Sequence, residues 1–294
     1  MVASRSNAGN QALSKNGGDI ESYIRFSEKA HRIYLANFRK NRKVLGSGHN
    51  WVFHLLLANS MNLSSAISTL AALGKPNEAM ILLRTRLEQL IICSYLIHED
   101  EEAGLKRFVA FLPKVDPGFG RTLKKIDMIR EGIELLFPEM GTRLPKLLEK
   151  MDATAEKSFG FGSNGFIRKW SEMNTGEIVA RRDKLADKND LISSYRLSYY
   201  YDTIYKFGSV LVHADVASIS PAFVVLGNEG TVRPHEIYTM SATLINAHLD
   251  IIQCHEVSKK LDLLNEKKFF GLYEKYIGQI KSDFGIRDKE LLTI

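Results

Sequence analysis

Two groups of residues in this chain have the types and spacing to do chemistry together. Arg84 and Glu88 lie in the segment NEAMILLRTRLEQLIICSYLIHED (77–100), one helical turn apart and therefore on one face. An arginine fork holds a phosphate or carboxylate, and a glutamate beside it can orient the fork or accept a proton. At about 100° per residue, Arg84, Glu88, Ile91, Tyr95 and His98 fall in one stripe. The second group lies in DLISSYRLSYYYDTIYKFGSVLVHAD (190–215). Read as a helix, it brings Tyr195, Tyr199, Asp202, Lys206, Ser209 and His213 within about 40° of one direction. A histidine titrating near neutral pH suits general acid–base work, which makes His213 the candidate acid or base and Arg84 the candidate anion holder. A structural reading stands beside this one: Arg84 and Glu88 as an ion pair pinning helices together, and His213 as a hydrogen-bonded core histidine.

Other chemistries find less support. Ser209 and His213 are one turn apart, but no strand–turn–helix elbow surrounds the serine. His248 and His255 share a helix face two turns apart, about 10 Å, too far to hold one metal ion. Neither Cys93 nor Cys254 has a second cysteine or a histidine at metal spacing, so both read as buried thiols in a reducing compartment. No cofactor is implied. Arg25 and His31 match the arginine–histidine spacing of helical nucleases of the HEPN superfamily. A chain with 8 histidines offers roughly one such match by chance, and this one sits in the first helix rather than a late one.

The elements that must position these residues are helices. Segment 77–100 is apolar nearly all round, which marks the central, buried helix of a bundle. A charged pair inside it needs a partner surface, and segment 190–215 supplies a polar stripe to meet it. Residues 1–18, rich in Ser, Asn and Gly, read as a disordered tail, and 19–294 as a single helical-bundle domain. Helices are expected at 20–45, 51–73, 105–112, 120–137, 144–157, 175–186, 235–264 and 266–280. One small β-hairpin is expected near 222–233, with GNEG as its turn. The glycine-rich SFGFGSNG (158–165) has no phosphate-loop pattern around it. Hydrophobic residues make up 45% and charged residues 25%, ordinary globular composition. A net charge of +6 permits an anionic partner such as RNA, a nucleotide or an acidic protein, and seven Lys or Arg face two Glu over residues 20–45. That first helix has a solvated basic face, or a phosphate-binding edge at Arg39, Lys40, Arg42 and Lys43. No apolar run is long enough to span a membrane and no signal peptide is evident, so the expected location is the cytoplasm.

The combination of LLRTRLE (82–88) on a buried helix with Tyr205, Ser209 and His213 on a later one resembles the bacterial family of domains of unknown function numbered 5677. The resemblance covers roughly residues 50–260. It implies an all-α, HEPN-like bundle and carries over Arg84, Glu88, His213, Tyr205 and Ser209. The expected site then has His213, Glu88 and Tyr205 in catalytic roles, with Arg84, Ser209, Asp202 and Lys206 on the substrate. The corresponding function is a HEPN-like defence or toxin effector acting on RNA or a nucleotide. The alternative is a non-catalytic module that senses a ligand or binds a partner protein, its Arg–Glu–His cluster being structural. Self-association is compatible with either.

Overall fold

The computed structural model describes residues 20–46, 49–99, 104–105, 108, 171, 173–205 and 234–286. The chain falls into two compact units, residues 1–98 with 175–294, and residues 99–174. Seven described helices build the first. They are α1 (Ile20–Lys40), α2 (Asn50–Ala72), α3 (Pro76–Glu99), α4 (Thr175–Leu185), α5 (Leu197–Tyr200), α6 (Pro234–Lys260) and α7 (Glu266–Phe284). The expectation of a mainly α-helical bundle holds. The hairpin near 222–233, the tail 1–18, the helices at 120–137 and 144–157 and the SFGFGSNG segment all fall outside the described residues.

Local sequence accounts for where the helices begin and end. Apolar residues recur at Tyr23, Phe26, Ala30 and Tyr34, giving α1 one buried stripe, and its cations take the other faces. At the end of α2, Gly74 adopts φ +69°, and the Gly74 and Lys75 amides return to the Ala71 and Leu70 carbonyls at 3.0 and 2.9 Å. That left-handed turn needs glycine, and Pro76 then opens α3 where its missing N–H costs nothing. Asn265 caps α7 by accepting from the Lys268 amide.

The centre of the unit is α6 rather than α3. Every residue from Ile245 to Ser258 is buried. Helices α1 and α2 pack against α6, and α7 against α1 and α6. Helices α1 and α7 run antiparallel. The Tyr23 hydroxyl donates to Asp283 at 2.8 Å, and the Asn37 amide donates to the Leu263 carbonyl at 3.1 Å at the other end. Helix α2 has the length and hydropathy of a membrane span, and in this fold it lays Val52, Phe53, Leu57, Ile67 and Ala71 into the bundle.

The continuous helix expected over 190–215 is corrected within the described residues. Residues 191–195 are turns, helix begins only at Leu197, and a π turn occupies Tyr201–Tyr205. Asp190 is the cause. Its carboxylate accepts from the Ile192 and Ser193 amides, both at 3.1 Å, and from the Ser193 hydroxyl, offering the backbone a local alternative to helix.

Candidate functional site

Arg84, Glu88 and Tyr205 meet. The Arg84 guanidinium sits 4.3 Å from the Tyr205 ring centre, donates to the Tyr205 hydroxyl at 3.1 Å and approaches Glu88 at 3.6 Å. Tyr205 in turn stacks on Tyr201, with ring centres 4.8 Å apart and planes inclined by 23°. The two rings are the first and last residues of the π turn, four positions apart and so neighbours along its axis. All four side chains are partly exposed. The result is a cation lying against a pair of stacked phenols at the surface. Asp202 shares the π turn and is exposed, while Lys206, Ser209 and His213 lie outside the described residues.

Two parts of the expected geometry change. Arg84 and Glu88 are not interior: their side chains keep 24% and 35% exposure, and they occupy a flank of α3. In the same predicted stripe Ile91 and Tyr95 are buried, and His98 reaches Glu256 of α6 at 3.0 Å. Tyr195, Tyr199 and Asp202 also do not share a face. Tyr195 packs edge-on against His248 with centres 4.4 Å apart, Tyr199 is 53% exposed, and the π turn breaks the 100° rhythm before Asp202.

The buried charges are elsewhere, in two clusters built alike on α6. Asp250, wholly buried, accepts from Arg86 at 2.9 Å and from the Ser64 hydroxyl at 2.5 Å. His31 Nε2 lies 3.1 Å from the same carboxylate, close enough for an ion pair but off hydrogen-bond alignment. Two turns along, Glu256 accepts from Arg182 at 2.5 Å and from His98 at 3.0 Å. Burial alone would raise both acids. The facing His31 and Arg86 outweigh it and hold Asp250 far below the usual carboxylate range. Arg182 and His98 do the same for Glu256, which sits at about 2.

The two arginines differ in how completely they are satisfied. Arg182 donates to the Ser94 hydroxyl, the Asp183 carboxylate, the Tyr195 and Ser193 carbonyls, and Glu256. Arg86 has Asp250, while its Nε and Nη1 meet no acceptor among the described residues. Asp183 also accepts from the Leu197 and Ser198 amides at 3.0 and 2.9 Å, capping α5 from a different helix. The Arg182–Asp183 pair therefore fixes where the Tyr201–Tyr205 turn begins.

Sequence reasoning missed Arg86, Arg182, Asp250, Glu256 and His31. A signal was present: Arg86 stands in the series Leu83, Arg86, Leu87, Leu90, Cys93, which is the buried stripe of α3. Because Arg84 and Arg86 point about 200° apart, only one of them can be inside.

Two further histidines and both cysteines are buried. His248 receives or donates a 2.7 Å bond with the Tyr200 hydroxyl, and burial lowers it to about 3, so it is neutral at pH 7. His255 faces Asp190 at 3.8 Å and is also lowered, chiefly by burial. The two histidines serve different partners, in keeping with their spacing. Cys93 and Cys254 are buried free thiols, and burial pushes Cys93 up to about 12. Among the described residues no three His, Cys, Asp or Glu side chains gather as metal ligands.

A model of a protein family described as a family of unknown function (DUF5677) matches residues 50–231. That span includes Arg84, Arg86, Glu88, Arg182 and Tyr205, and ends before Asp250 and Glu256. No curated protein and no solved structure matches the chain.

Proposed function

Since the chain belongs to this family of unknown function, we propose that it acts on RNA or a nucleotide, as a HEPN-like defence or toxin effector. One observation carries the reading: the Arg84 guanidinium rests on the face of Tyr205, and Tyr205 stacks on Tyr201, all three partly open to solvent. Aromatic rings at a surface give unpaired bases a stacking face, and an arginine beside them meets phosphate or adds a cation–π contact. Arg84 holds a phosphate in this reading. Glu88 and Tyr205 orient Arg84, and His213 moves the proton near pH 7. Asp202, Lys206 and Ser209 contact the rest of the substrate.

The test is turnover of single-stranded RNA by the purified chain beside His213→Ala and Tyr205→Ala. The expected outcome is cleavage that His213→Ala abolishes and Tyr205→Ala weakens through KM. Equal product from the native chain and His213→Ala would end the catalytic reading.

Glu88 gives a second reading its footing. At 3.6 Å it already balances Arg84, as it would in a non-catalytic module that senses a ligand or binds a partner protein. Under that reading no RNA is turned over, and Arg84→Ala shows only a small loss of stability.

A further inference from the structure

A second feature lies away from the stacked tyrosines, in the groove between α1 and α7. It has a volume of about 680 Å³ and is lined by Lys29, Arg32, Lys267, Lys268 and Lys275, with Ile33, Gly271 and Leu272 among the remaining lining residues. Five cations and no carboxylate line it, in a protein whose whole net charge is +6. Among the described residues, Arg32 is paired with Glu28 at 2.6 Å, whereas no carboxylate pairs with Lys29, Lys267, Lys268 or Lys275. Helix stability does not account for this. Lys267 and Lys268 stand in the first turn of α7, where the helix dipole disfavours a cation, and the five charges repel one another across the groove.

We propose that the groove between α1 and α7 is a track for the backbone of single-stranded RNA. The cations would meet phosphates, and the Ile33, Leu272 and Gly271 surfaces would take ribose or base. The proposal deepens the function above and rests on it for the choice of RNA. The track is longer than a free nucleotide requires. Lys29, Arg32 and Arg39 lie within about 80° of one another on α1, spaced over ten residues or about 15 Å along the helix. Arg39 is exposed, continuing the basic edge past the groove. Apolar surface between cationic walls suits a strand whose bases are uncovered, whereas a duplex keeps its bases inside.

The test is binding of a labelled 12-nucleotide single-stranded RNA over a range of salt. Four or five phosphate contacts give a slope of log K against log salt of about −3. Lys267→Gln/Lys268→Gln/Lys275→Gln should make that slope shallower by about 2 and weaken binding by about tenfold or more at low salt. Gly271→Glu supplies the folding-neutral variant, because a Cβ there meets open space and leucine-like helix propensity replaces glycine. It puts a carboxylate on the groove and should also weaken binding. The control Lys75→Gln/Lys184→Gln/Lys188→Gln removes three exposed charges elsewhere and should keep at least two-thirds of the slope. Melting curves of each variant establish that it is folded.

Four results would overturn the track. RNA binding with an unchanged slope in both groove variants places the strand elsewhere and leaves the RNA reading standing. Equal affinity for duplex removes the single-strand assignment. Groove-dependent binding to phosphatidylserine vesicles without RNA binding makes the ligand a membrane surface. No RNA binding by the native chain at low salt removes both track and RNA reading, while groove-dependent binding without turnover removes only the catalytic one.

Discussion

At the scale of single residues, the informative contrast is between Arg84 and Arg86. They are two positions apart on α3 and have opposite fates: 24% exposure for the first side chain and none for the second. The sequence made it clear that this helix carries charge into an apolar setting. Choosing which arginine goes inside meant phasing the buried stripe on Leu83, Leu87, Leu90 and Cys93 rather than on Ile91 and Tyr95, two apolar sets that compete within α3. The energies should follow burial. Arg86→Met leaves Asp250 buried beside His31 and Ser64 with its arginine partner gone, an event that costs about 3–5 kcal/mol. Arg84→Met loses a partly solvated pair and a ring contact, about 1 kcal/mol or less. Urea unfolding of the two variants measures this directly. Equal losses would mean that the depth of the two side chains does not set their contributions.

At the scale of elements, the positions of the long helices were legible, while the local turns and the burial of polar faces were not. The bounds of α2, α3 and α7 follow from runs and caps visible in the chain, such as Gly74, Pro76 and Asn265. The segment 190–205 was misread because Asp190, Asp183 and Arg182 redirect its backbone, and those bonds come partly from another helix. Helix α6 hid its role for the opposite reason. Its Asn246, Asp250 and Gln253 lie on one side and His248 and His255 on the other, polar side chains that composition alone would place in solvent, yet all of them and Glu256 are buried. That burial makes α6 the acid-sensitive element. The unfolded chain protonates His248 near 6.5, while the folded one resists until about 3, so stability drains away as pH falls between those values. Glu256 adds a second loss from its ordinary 4.5 down to about 2, because the unfolded carboxylate takes its proton first. Each group steepens the decline by up to about 1.4 kcal/mol per pH unit. His248→Gln should therefore flatten the fall in urea midpoint between pH 6.5 and 5, with His255 leaving a shallower residual slope. An identical slope in the variant would show that His248 is protonated in the folded protein.

At the scale of the whole molecule, the family match and the folded core have different boundaries. Residues 50–231 contain Arg86 and Arg182, but the carboxylates that neutralise them, Asp250 and Glu256, belong to α6 beyond the match. Helix α1, which brings His31 to Asp250 and packs on both α6 and α7, precedes it. Arg84 and Glu88 were legible in the sequence because they stand one turn apart on one helix, and Tyr205 through the resemblance. The groove was not, because its walls come from opposite ends of the chain. A physical consequence follows for any attempt to isolate the matched segment. In it Arg86 loses its one carboxylate, while Arg182 keeps Asp183 and loses Glu256; a buried unpaired guanidinium costs several kcal/mol, a large share of the roughly 5–15 kcal/mol that holds an ordinary domain together. A fragment of residues 50–231 should therefore lack a cooperative melt and be digested rapidly by protease. Residues 20–286 should melt in one transition, and adding α6 and α7 as a separate chain should restore part of the fragment's protection. A cooperatively melting 50–231 fragment would mean that Arg86 and Arg182 find other partners within it, and that α6 covers a unit already folded rather than completing it.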